Sequence, residues 1–76
     1  MNGRTKQSVI NEVIKEVDEA RGNAERGQLL GEIAYGTLFG EVSILEQLEL
    51  ITEEESTKLL NDVIFASVGS REGESL

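Results

Sequence analysis

The 76 residues include no cysteine, histidine or proline and carry a formal charge of −8. A chain this short forms one small domain, without disulfides, thiolate metal sites or the commonest general base. The acidity argues against direct contact with nucleic-acid phosphates and with anionic membrane surfaces, both of which need clustered Lys and Arg.

In chain order, "MNGRT" is a polar leader with no apolar h-region. No run approaches the roughly 18 apolar residues of a membrane span, so a cytoplasmic, soluble protein is expected. A helical pattern begins near Lys6: Val9, Ile10, Val13, Ile14 and Val17 share one face, and Glu12, Glu16 and Glu19 share the other with Lys15. At "RGN", Gly22 offers a C′ stop and Asn23 an N-cap, which would split the pattern into separate helices. Yet the phase does not reset. Ile10, Val13, Val17, Ala20, Ala24, Gly27, Gly31, Ala34 and Leu38 follow one another at alternating spacings of three and four. This continuity favours one long helix over 6–48, kinked at Gly22, and roughly 65 Å long at 1.5 Å per residue. A helix of that length needs a partner along it, and small domains without staples gain stability by self-association. A homo-oligomer, dimer or larger, is therefore expected.

"LELITEEE" ends that helix and starts another. Thr52 is an N-cap, Glu55 stands at capping-box spacing, and Glu53 and Glu54 suit the positive end of the helix dipole. The last helix is predicted over 53–68, with Leu59, Leu60, Val63, Ile64 and Val68 as its apolar stripe and Gly69 as its stop. The predicted fold is all-α. A single domain over 1–68 forms an antiparallel helical hairpin, which assembles into an oligomeric bundle. The polar residues 69–76 are predicted to be disordered.

Gly27, Gly31, Gly36 and Gly40 would each cost a helix roughly 0.5–1 kcal/mol relative to alanine. On the apolar face, Gly27 and Gly31 extend Ala20 and Ala24 into a strip that lets two backbones approach closely. This assigns an oligomer interface to Ile10, Val13, Val17, Ala20, Ala24, Gly27, Gly31, Ala34 and Leu38. Gly36 and Gly40, flanking Phe39, suggest a second contact surface. The stretch 28–57 has no basic residue but seven acids, Glu46 and Glu49 among them. Phe39, Gly36, Gly40, Glu46 and Glu49 are therefore the predicted partner-binding residues. A flexible hinge is the rival explanation for the glycines.

Catalytic chemistry is sparse. Tyr35 is the only tyrosine, and "GEIAYG" lacks the spacing of a phosphate-binding loop. No catalytic residue, metal or cofactor is predicted. Glu41 falls on the apolar face and must either reach the edge or meet Arg21, Arg26 or Lys58. Arg21 and Arg26 alternatively offer an anion site between subunits. The expected function is that of a non-catalytic protein that self-associates and binds or inhibits a macromolecular partner. In its most concrete form this is a phage or mobile-element inhibitor presenting an acidic face to a basic groove. An oligomeric binder of small anions or nucleotides, or a structural assembly subunit, is the alternative.

Overall fold

A computed structural model describes residues 5–69 and shows three helices, α1 (Lys6–Glu25), α2 (Glu32–Gln47) and α3 (Glu53–Val68). The predicted tail lies largely outside the described residues. The fold is an all-α three-helix bundle, and the two-helix hairpin with a continuous 6–48 helix is corrected. Helix α1 runs through Gly22 without a break and ends instead at Arg26.

The physical cause is Gly27. It adopts φ 90, a left-handed conformation, and the chain closes a Schellman cap around it. The Gly27 N–H donates to Ala24 O at 3.0 Å and the Gln28 N–H to Asn23 O at 2.8 Å. Residues 28–31 then cross to the next helix, and the Leu30 N–H donates to Ala66 O at 2.9 Å, fixing the crossing against the end of α3. Gly31, extended at φ −76 and ψ 171, caps α2. The unbroken apolar phase reflects two helices that both face one core. Gly27→Ala is expected to lower stability by about 1 kcal/mol, because an L-residue resists this conformation. Urea unfolding monitored by circular dichroism measures it.

The other ends follow their sequence signals. Thr5 Oγ1 accepts from the Ser8 N–H at 3.1 Å to start α1. At α3 the full capping box forms: the Glu55 N–H donates to Thr52 Oγ1 at 3.0 Å, and the Thr52 N–H to Glu55 Oε1 at 2.8 Å. Gly69, at φ 79, terminates α3 with its N–H on Phe65 O. Between α2 and α3 a second Schellman cap places Glu49 at φ 60, where glycine is usual.

The core is built from all three helices. Val17, Val42 and Val63, one from each, are 0% exposed. Around them lie Val13, Ala20 and Ala24 of α1, Leu38 and Leu45 of α2, Ile51 of the turn, and Leu59 and Ala66 of α3. One buried charge is included: the Asp62 carboxylate accepts from Arg21 Nη1 at 2.7 Å and from Lys58 Nζ at 2.9 Å. The Arg21 guanidinium also lies 5.1 Å from the centre of the Phe65 ring.

Candidate interaction surface

Helix α2 is apolar on two sides. Leu38, Val42 and Leu45 point into the bundle. Ile33, Gly36, Thr37, Gly40, Ile44 and Leu48 recur at helical spacing along the opposite side. Ile33 is 87% exposed, Ile44 54% and Leu48 62%. A Cβ placed on Gly36 or Gly40 would meet nothing within 4 Å. The middle of this face is thus open backbone between large aliphatic side chains. None of its six residues is charged, in a chain whose formal charge is −8.

Beside this face a groove opens between the first half of α1 and the second half of α2. It holds about 220 Å³ and is lined by Val9, Glu12, Val13, Glu16, Glu41, Ile44 and Leu45. Ile44 belongs to both the groove and the outer face, so the two are continuous. Three carboxylates meet here. Burial, followed by the charge and hydrogen bond of Glu16 and the charge of Glu12, pushes the Glu41 carboxyl above the usual range. Its Oε1 is buried without a hydrogen-bond partner.

A raised pKa means that the folded chain holds this proton more tightly than the unfolded one. The associated stability is complete below the ordinary carboxylate range and is lost as pH rises through the folded value. Glu41→Gln, which cannot ionise, is expected to stabilise the chain at pH 7 by about 0.5–1 kcal/mol. It should also flatten the fall in melting temperature between mildly acidic and neutral pH, read by thermal unfolding across that range.

The residues singled out from the sequence disperse. Val13, Val17, Ala20, Ala24 and Leu38 lie in the chain's own core, with Ile10 packed against it. Gly27 and Gly31 lie in the α1–α2 connection, and Ala34 is exposed on α2. Phe39 packs against the core, its ring centre 5.7 Å from that of Tyr35. Glu46 Oε1 accepts from the buried Ser56 hydroxyl at 2.7 Å. Glu49 is exposed in the α2–α3 turn. Arg21 is held by Asp62, with Glu25 Oε2 3.7 Å from its Nε. Arg26 donates to Asn23 Oδ1. The three cations considered for Glu41 thus have other acceptors.

Sequence reasoning missed Asp62, whose signal was its position one residue before Val63 on the α3 stripe. Gly36 and Gly40 were expected on a second contact surface, but Ile33, Ile44 and Leu48 were counted with the inward apolar face, and the structure exposes them beside the two glycines. Among the described residues, no group of Asp and Glu is placed to hold a metal ion, and no helix is long and apolar enough to cross a membrane. Comparison with protein-family models, curated proteins and solved structures gave no match.

Proposed function

We propose that this protein acts by binding and not by catalysis: it self-associates through the outer face of α2 and presents its acidic surface to a macromolecular partner. The single observation that supports self-association is the uncharged, aliphatic, glycine-centred face on an otherwise acidic chain. Two strongly acidic copies repel each other over most approaches, and this face offers the approach with least repulsion. It is also self-complementary, as an isologous contact requires. Gly36 and Gly40 admit a neighbouring backbone, and Ile33, Ile44 and Leu48 supply apolar area at both ends. The acids of the first turn of α3, Glu53, Glu54 and Glu55, remain outside this contact. They suit a basic groove on a partner, whose encounter would be accelerated by charge and weakened by salt. Inhibition of such a partner by occupying that groove is the concrete form of this function.

Gly40→Leu separates fold from association. Leucine favours helix over glycine by about 0.5–1 kcal/mol, and the site is open, so the single chain should become more stable. The same side chain blocks close approach of a second α2. The expected result is a higher melting temperature at low protein concentration together with at least tenfold weaker self-association by analytical ultracentrifugation. Undiminished association would remove this face from the interface.

A further inference from the structure

We infer that the second copy docks with α2 antiparallel to α2 about a two-fold axis between Gly36 and Gly40, and that Arg26 of each copy enters the acidic groove of the other. This rests on the self-association proposed above and specifies its geometry.

The first support is charge placement. The groove brings Glu12, Glu16 and Glu41 together over an apolar floor of Val9, Val13, Ile44 and Leu45. An arginine suits such a site, since its stem covers apolar surface and its head meets carboxylates. Arg21 and Lys58 are held by Asp62. Arg26 is exposed at the C-terminal end of α1 and contacts Asn23 through a neutral amide. Glu12, Glu16, Asn23 and Arg26 lie on one side of α1 by helical spacing. Glu19 lies on the same side between Glu16 and Asn23, and Arg26 is the cation at its far end, which an antiparallel copy carries towards the partner's groove.

The second support is register. The Arg26 head lies over Asn23, within 3.8 Å of where a Cβ on Gly22 would stand. Along α1 this is about nine residues, or about 13 Å, from the level of Glu12 and Glu16. Along α2, the midpoint of Gly36 and Gly40 is about five residues, or about 7 Å, from the groove level at Glu41–Leu45. A two-fold axis maps a point at twice its own distance back onto the starting level. An axis through the glycine pair therefore brings Arg26 to within an ångström or two of the partner's groove level. The glycines permit the close approach at the same place that the charges require the axis.

The test is a charge exchange read by sedimentation and native mass spectrometry. Arg26→Glu and Glu16→Lys both change exposed side chains, and circular dichroism with thermal unfolding verifies that each variant keeps its helices. Each variant alone should self-associate at least tenfold more weakly than the native chain. Mixed in equal amounts they should form a heterodimer, because one copy then offers an intact groove to Arg26 and the other offers the introduced lysine to the introduced glutamate. A native dimer that tolerates both substitutions, or variants that weaken alone and do not recover on mixing, would overturn the docking geometry while leaving self-association standing. A native chain that is monomeric throughout would overturn self-association itself.

Discussion

Val63→Asp is expected to leave the chain unfolded at 25 °C, read as loss of the helical circular-dichroism signal. Val63 is fully buried in the core of the bundle, as are Val17 and Val42 of the other two helices. An aspartate there would carry a charge away from water with no cation to meet it, or bury a protonated carboxyl in place of an aliphatic side chain. A domain of this size has on the order of 4–11 kcal/mol of total stability. Removal of the valine packing alone, as in Val63→Ala, is expected to cost about 2 kcal/mol. The added penalty for the unpaired polar group consumes what remains. If Val63→Asp retained cooperative folding, the assignment of this residue to the common core would be wrong.

One position earlier the chain holds an aspartate without harm, because Asp62 is 6% exposed but doubly paired. Asp62→Ala should destabilise by about 2–4 kcal/mol, measured by urea denaturation. Most of that loss comes from leaving the half-buried Arg21 guanidinium without its acceptor, and little from the largely exposed Lys58. The paired replacement Arg21→Met with Asp62→Leu tests this attribution. It removes the charge and its partner together and is expected to restore most of the stability, as apolar substitutes for buried ion pairs often do. A double variant as unstable as Asp62→Ala would show that the pair itself supplies the stability.

The sequence made the helical class plain, together with both ends of α3, because these depend on local chemistry. The reciprocal bonds of Thr52 and Glu55 need only four residues, and Gly69 needs only its own conformation. Val13, Val17 and Leu38 were legible as buried positions from their spacing, but not what they are buried against. A long helix in an oligomer and two shorter helices around one core give the same periodicity. The distinction lay in "RGQLLGE", where Gly27 closes one helix and Gly31, followed by Glu32 in the first turn, opens the next. The continuous apolar phase concealed this, since Ala24 and Leu38 face the same core from different helices. Glu41 was legible as a misplaced carboxylate. Its neighbours were not, because the pairing of α1 with α2 that brings Glu12 and Glu16 to it depends on the reversal at Gly27. Asp62 shows the converse: its place beside Val63 hints at burial, but its main partner, Arg21, lies 41 residues away.

The proposed dimer covers the outer face of α2 with a second copy of the chain. Light scattering coupled to size-exclusion chromatography, across a dilution series at low and high salt, tests it most directly. The predicted result is a mass of twice the 8.3 kDa chain. The dimer should persist at high salt through its apolar seam, where the mutual repulsion of the two acidic copies is screened. A mass of one chain at every salt and up to about 1 mM protein would place any self-affinity below about 4 kcal/mol and contradict the account.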